Sequence, residues 1–429
     1  MGSKLVLQKF IQMIDVVYSS ITFILFVAFC FPLARFYRNH NRHWVIGGHR
    51  GRIYEDNSAS LHQYIINNTT QKIVWITSSP AVFRKLKEQN IVVLKRHSLK
   101  ARWRIATAPV LIYSHGEDDL DLFLILLRKT LGLRIYITHS TTCLVGVGCF
   151  ARRVLRFGYL RNILFRFLLT DFDYLLVISE LEKKNFSLGF PHRAHVIILG
   201  GGPHIDQVMT NRSPKQKTIL YFPTSRVKKS SAARLNRIVE EIVSSKDLLN
   251  WLESNDYILK IGHHINRKPP VSSPESSRIQ WTLPQEIIKE VTRCSLFISD
   301  YSGLLTDYLI MDRPVVFFPF DIEQYIKQKR LFMDYEDYAY GPIAYSVKDL
   351  IKLIVSEEWN HLELFSEKRS HWKRLLFPHR QPVYAQNSYQ QIKRLLNEAQ
   401  SIKDIPDELK TVSVRENKEV LNKVGNNYC

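Results

Sequence analysis

Apolar residues along this chain come in short runs that end in polar clusters, and stretches of helical periodicity separate the runs. The first runs fall at His43–Ile46, Ile73–Thr77, Ile91–Leu94, Val110–Ser114 and Arg134–Thr138. Short buried strands alternating with helical segments predict a parallel sheet covered on both faces. The rhythm continues at Tyr174–Ser179 and Val196–Leu199, pauses over the polar, proline-bearing Asn211–Lys217, and resumes at Thr218–Phe222 and Tyr257–Ile261. A polar interval of that kind fits a linker. A helix is expected between Trp281 and Glu290. The densest unit follows at Phe297–Phe318: a strand end, an amphipathic turn through Leu304, Leu305, Tyr308, Leu309 and Met311, then Pro314 and a new strand from Val315. Helices through Leu350–Ile354 and Tyr389–Leu396 close the pattern.

At 429 residues the chain has room for about two domains. The expected fold is α/β, with two Rossmann-like domains facing a cleft in a GT-B-type arrangement, preceded by a hydrophobic membrane-associating segment. Its divisions are residues 1–42 for that segment, 43–212 and 213–400 for the two domains, and 401–429 for a charged, aperiodic, loosely ordered tail.

Val16–Ala34 supplies about 19 uncharged residues, close to the length that crosses a bilayer, and Arg35, Arg38 and Arg42 follow at once. The positive-inside rule then leaves the rest of the chain in the cytoplasm. No small-residue cleavage site marks a signal peptide. Tyr18, Ser19, Ser20, Thr22 and Pro32 weaken a spanning reading, so an interfacial helix and a hydrophobic hairpin packed on the protein stand beside it. The 60 basic and 40 acidic residues leave a net charge of +20, which favours anionic partners such as a membrane surface or a phosphate-bearing polymer. The basic residues are scattered and no nucleic-acid module accompanies them, so nucleic acid is not expected as a partner. The five cysteines lack metal-ligand spacing and fit buried thiols in a reducing compartment.

Open α/β sheets place their chemistry where strands end. His139 leaves the strand Arg134–Thr138; a neutral imidazole there could take a proton from an attacking hydroxyl, or could simply be satisfied by backbone. His115 stands at a second strand end. His263 and His264 follow Tyr257–Ile261, but neighbours on an extended chain point opposite ways and no acidic or Cys partner sits at ligand spacing, which argues against zinc. Ser302 can cap the helix after Asp300, with Gly303 allowing an anion close to the backbone; equally, the three can cap a purely structural helix. Gly47–Gly51 lacks dinucleotide-binding spacing, and Gly200–Gly202 fits the crossing between domains. A divalent cation such as magnesium is optional.

Ser299-Asp300-Tyr301-Ser302-Gly303, then Asp307-Tyr308 and Arg313-Pro314, resembles the signature of the CDP-glycerol glycerophosphotransferase family of teichoic-acid and capsule polymerases. The likeness continues through Phe320–Tyr325, Asp334–Glu336 and Gly341-Pro342, and extends over roughly residues 43–395. Gly303 stands where the family has a second serine, Ser140 where it has glycine, and His204 where it has arginine. The resemblance implies transfer of a polyol phosphate, most simply glycerol phosphate, from a CDP-activated donor to a lipid-linked or phosphate-bearing glycan acceptor. CMP would be released at the cytoplasmic face of a bacterial membrane. It implies His139 as base, with His115 its rival. It sets His263 (or His264), Ser302 and the Gly303 N–H on the diphosphate, and Thr224, Arg226, Asp300 and Asp307 on the donor side. The alternatives are a GT-B glycosyltransferase using a nucleotide sugar and a non-catalytic binder of polyanionic glycan.

Overall fold

The computed structural model describes residues 17–37, 42–121, 131–139, 141, 144–146, 172–211, 213–226, 228–263, 276–283, 286–329 and 331–403. The first half forms β1 (Trp44–Ile46), β2 (Ile73–Thr77), β3 (Val93–Lys95), β4 (Val110–Tyr113), β5 (Leu133–Ile137), β6 (Tyr174–Val177) and β7 (Ile197–Leu199), in the sheet order β3-β2-β1-β4-β5-β6-β7. The second half forms β8 (Gln216–Tyr221), β9 (Ile258–Gly262), β10 (Ile279–Thr282), β11 (Cys294–Ser299) and β12 (Val315–Phe317), in the order β10-β9-β8-β11-β12. All pairings between these strands are parallel. β1 and β2 are buried along their whole length, as strands covered on both faces must be, and this is why they appear in the sequence as unbroken apolar runs.

One strand escaped the sequence pattern. In β10 only Ile279 and Thr282 are buried, Gln280 is exposed, and the strand pairs with β9 alone at the sheet edge. Such a short alternation carries little signal, and the helix expected from Trp281 begins instead at Ile287. The terminal helix Tyr384–Lys403 crosses back to the first sheet, where Ile392 and Leu395 join Trp44, Trp75 and Ile135 in one core. Asp206 caps its N-terminus, accepting from the Tyr384 and Ala385 N–H groups at 2.9 and 2.8 Å. Chain order had grouped these residues with the second half. The halves share a further core of Leu144, Ile178 and Ile205 against Phe297, Tyr301 and Tyr308. Residues 404–429 of the expected tail lie outside the described residues. Of the cysteines, Cys294 is a core thiol pushed up to about 12 by burial, Cys30 is half-buried, and Cys143, Cys149 and Cys429 lie outside the described residues.

Residues 17–37 form one helix with a π turn at Phe26–Cys30. One side packs on the helix Leu99–Thr107 through Phe26, Ala34 and Ala106. There the fully buried Arg102 donates to Thr22 Oγ1 at 2.6 Å, to Ser19 Oγ at 3.0 Å and to Asp121 at 2.8 Å. Two of the polar residues that weakened the spanning reading, Ser19 and Thr22, are thus handles that tie the helix to the protein.

Ile392→Ala should lower stability by about 2–5 kcal/mol through a core cavity, visible as a reduced thermal midpoint, although chain order sets this residue far from the sheet it supports.

Candidate functional site

The strand orders create two switch points, one between β1 and β4 and one between β8 and β11, where the chain reverses its direction of travel across the sheet. Crevices outside the carboxyl ends of such strands are where open α/β sheets bind ligands. In the first sheet, the loops after β1, β4 and the adjacent β5 deliver His49, His115 and His139. The loop after β1 is strained: His49, Arg50 and Gly51 are consecutively left-handed, with φ of 51°, 56° and 73°. A Cβ at Gly51 would meet the Ser78 nitrogen at 2.5 Å, so only glycine fits. Buried Asp119 pins the loop to its neighbour by accepting from the backbone N–H of Arg50, Ser114 and His115 at 2.6, 2.9 and 2.8 Å.

The three imidazoles meet in sequence: His49 lies tilted against His115 at 3.9 Å, and His115 stacks on His139 at 4.4 Å between centroids. Their charges differ by environment. His49 is hydrogen-bonded to Asp56, and this carboxylate overcomes burial to hold it above 6.5. Burial, with the positive fields of His139 and His49, depresses His115. His139 is also depressed, first by desolvation and then by His49 and His204, against the pull of Asp56 and of a hydrogen bond from the ring to the Ser114 backbone. The trio therefore sets one ring whose protonated form is favoured beside two whose neutral form is favoured. Glu55, pushed up to about 7 by burial and by Asp56, adds a titratable carboxyl beside them. The sequence reading identified His115 and His139 but missed His49, Glu55 and Asp56 as a group; the run Gly47–Gly51 and the Asp56-Asn57-Ser58 that opens the next helix were its local signals. Ligand atoms of His49, Asp56 and His115 all lie within 4.8 Å of one another. Two imidazoles and one carboxylate could hold a zinc- or manganese-like ion; that donor set does not suit magnesium.

His204 joins this group to the second sheet. Its backbone N–H and Nδ1 both lie against Asn57 Oδ1, at 3.0 and 2.7 Å, and Nε2 lies 2.9 Å from Asp307 Oδ1. Asn57 Nδ2 donates to the Thr138 carbonyl, beside His139, which fixes the amide orientation and leaves Oδ1 as acceptor. With an acceptor at each nitrogen, His204 must carry both protons. Burial opposes that charge, and Asp307 outweighs burial, holding the ring above 6.5. The histidine that replaces the expected arginine is thus a cation in a bridge between the two switch points.

In the second sheet the loops after β8 and β11 bring Thr224, Arg226, Asp300, Ser302 and Gly303 together, and β9 ends beside them at His263. Arg226 is not available as a phosphate ligand. It is buried, with Nε and Nη2 each 2.7 Å from Asp321, Nη2 also 2.7 Å from Asp300, and Nη1 on the Thr224 carbonyl. Asp300 is likewise internal, accepting from Arg226, Thr224 N–H and Tyr301 N–H. Asp307 pairs with His204. All three groups expected on the donor side are thus held in internal pairs, as buried charge is. Ser302 Oγ accepts from Leu304 N–H at 3.2 Å at the start of the helix Leu304–Ile310, for which Gly303 is the N-cap. Among the described residues the buried Thr224 hydroxyl has no hydrogen-bond partner, which suits a ligand contact. His263 is half-buried at the mouth of the crevice; His264 and Ser140 lie outside the described residues.

Two outcomes follow from these networks. Arg226→Met should cost about 3–5 kcal/mol by stranding two buried carboxylates, read from the denaturation midpoint; an unchanged midpoint would return Arg226 to ligand binding. Because the folded His204 titrates above its unfolded value, its stabilisation is complete below about pH 6.5 and is lost as pH rises through the folded value. The thermal-midpoint gap between wild type and His204→Gln should accordingly be widest in acid and narrow in alkali, and a pH-independent gap excludes a charged bridge.

Residues 34–393 match the family described as CDP-Glycerol:Poly(glycerophosphate) glycerophosphotransferase. Over 213 residues the chain is 29% identical to the teichoic acid poly(ribitol-phosphate) polymerase of Bacillus spizizenii, covering 46% of this chain and 34% of that protein. Over 218 residues it is 22% identical to the teichoic acid glycerol-phosphate primase of Bacillus subtilis, covering 46% and 53%. The matches therefore span from about a third to about half of those relatives' lengths. The fold is similar to that of the wall teichoic acid polymerase TagF, with a TM-score of 0.64 and 19% identity over 83% of this chain and 90% of that one. It is also similar to S. aureus MnaA solved with UDP, with a TM-score of 0.52 and 12% identity over 83% and 96%. With its signature loop at the second switch point and the family match extending over most of its length, this chain belongs to the CDP-glycerol:poly(glycerophosphate) glycerophosphotransferase family.

Proposed function

We propose that this chain transfers a polyol phosphate from a CDP-activated donor to a hydroxyl of a lipid-linked or phosphate-bearing glycan, releasing CMP. The observation that carries the reading is the bridged pair of switch-point loops, with graded histidines on one side and the family's signature on the other. The matched relatives include both ribitol-phosphate and glycerol-phosphate enzymes of teichoic acid, and a TagF structure has been solved with CDPG. Glycerol phosphate is the simplest donor group.

In this reading the acceptor hydroxyl attacks the β-phosphorus. Its proton passes to the unprotonated ring nitrogen of His139 as the new P–O bond forms. The bond from the β-phosphorus to the bridging oxygen breaks, and its electron pair leaves with CMP. A depressed His139 is already a free base at neutral pH. The His49 imidazolium supplies positive charge near the same ring, and the Thr224 hydroxyl, His263 and the backbone at Ser302–Gly303 are the groups suited to the diphosphate. A metal held by His49, Asp56 and His115 would add a Lewis acid; no step here depends on one. The apolar helix of residues 17–37 and the net charge of +20 support attachment at the cytoplasmic face of a bacterial membrane.

Wild type should release CMP from CDP-glycerol in the presence of a phosphate-bearing glycan, and His139→Ala should reduce the rate at least about a hundredfold. The acid limb of the wild-type kcat/KM profile should lie below pH 6.5, because the base titrates below that value. Release that survives the substitution moves the base to His115. Turnover of CDP-ribitol or a UDP-sugar in place of CDP-glycerol replaces the donor, and glycan binding without turnover of any donor supports the non-catalytic reading.

A further inference from the structure

The amino ends of the first sheet's strands, opposite the histidines, hold a separate cavity of about 680 Å³. It opens between the start of β1, the turn before β2, the end of the helix Leu99–Thr107 and the terminal helix, and is lined by Arg42, Lys72, Arg104, Lys393, Tyr37 and Trp103. Among the described residues no carboxylate pairs with any of these four cations. Their fields converge: His43, at the cavity wall, is depressed by burial and then by Arg104 and Lys72. Like charges gathered without a counter-charge raise the energy of the fold, and a bound anion offsets that cost.

The same cavity adjoins a large apolar surface. Tyr37 ends the described part of the N-terminal helix, and its ring lies 6.0 Å from that of Trp103. Back along this helix Ile21, Ile24, Phe29, Leu33 and Phe36 are 53, 66, 71, 56 and 74% exposed. The opposite side is occupied, because Ser19 and Thr22 are held by buried Arg102. A helix tied to its own domain in this way lies along the protein with one apolar face outward, and cations at its end complement an anionic surface.

We propose that this side of the first domain is a docking surface for anionic phospholipid, in which the apolar helix face enters the bilayer interface and the cavity takes a lipid phosphate head group. The proposal rests on the membrane-attachment part of the preceding reading and is independent of the transfer chemistry. Its cavity residues precede the strands, whereas His49, His115 and His139 follow them, so lipid capture and catalysis are separable by substitution.

The test is flotation of the full chain with vesicles of phosphatidylcholine alone or mixed with phosphatidylglycerol. Wild type should float with the anionic vesicles and far less with the neutral ones. Lys72→Glu/Arg104→Glu should lose at least about tenfold in partitioning to the anionic vesicles, at unchanged CMP release with a water-soluble acceptor. Lys72→Gln/Arg104→Gln repeats the measurement should charge reversal impair folding, and Ile24→Glu/Phe29→Glu should abolish binding to both vesicle types. Cavity variants that partition like wild type overturn the head-group site, as does equal binding of wild type to neutral vesicles. Release of the protein from vesicles by millimolar inorganic phosphate would reassign the cavity to a soluble anion. Wild type that floats with no vesicle while still releasing CMP would overturn membrane attachment and leave the transferase reading standing.

Discussion

Both ring nitrogens of His204 face oxygen acceptors, Asn57 on one side and Asp307 on the other, and only 12% of the side chain is exposed. A cation so placed cannot fall back on water, so its stability depends on both partners staying within hydrogen-bond distance. That requirement fixes the spacing of the two sheets at their switch points. It reaches further through Asn57, whose amide donates to the Thr138 carbonyl next to His139. A shift of the donor-side helix bearing Asp307 would be felt, through two side chains, at the ring proposed as the base.

The loops after β8 and β11 are shaped by a second buried charge system with a different outcome. Arg226 spends its guanidinium on Asp300, Asp321 and the Thr224 carbonyl, and its flat face lies over Tyr301, Phe320 and Tyr325 at 5.3, 5.2 and 5.4 Å. Asp300 in turn orients the Thr224 and Tyr301 amides. Residues whose chemistry suits phosphate binding thus become the frame of the loop, while the Thr224 hydroxyl, with no internal partner, is left for a ligand. Pre-organisation of this kind suits phosphoryl transfer, in which positioning and charge stabilisation supply most of the rate.

Within the first half, the histidine loops and the N-terminal helix are also coupled. Asp119 gathers three backbone amides of the histidine loops, and Asp121, two residues on, anchors Arg102 and with it the N-terminal helix. One short acidic stretch therefore secures both the histidine group and the helix that carries the apolar face.

The parallel strands were legible in the sequence because burial on both faces turns each into an unbroken apolar run, and His115 and His139 were legible because they follow such runs directly, whereas His49, set off from its strand by two glycines, was not. The edge strand β10 was not, since one buried face of four residues leaves almost no periodic trace. The composition of Phe297–Phe318 likewise determined its strand, turn and helix, for those depend on local spacing and capping. Which charges would be spent inside the fold was decided only by tertiary structure. Arg226 meets Asp321 across 95 positions, His204 meets Asp307 across 103 and Asn57 across 147, and the terminal helix returns to a sheet begun at Trp44. Periodicity and capping act between neighbours along the chain. The partner of a buried charge is chosen by chain closure, and no local pattern encodes that.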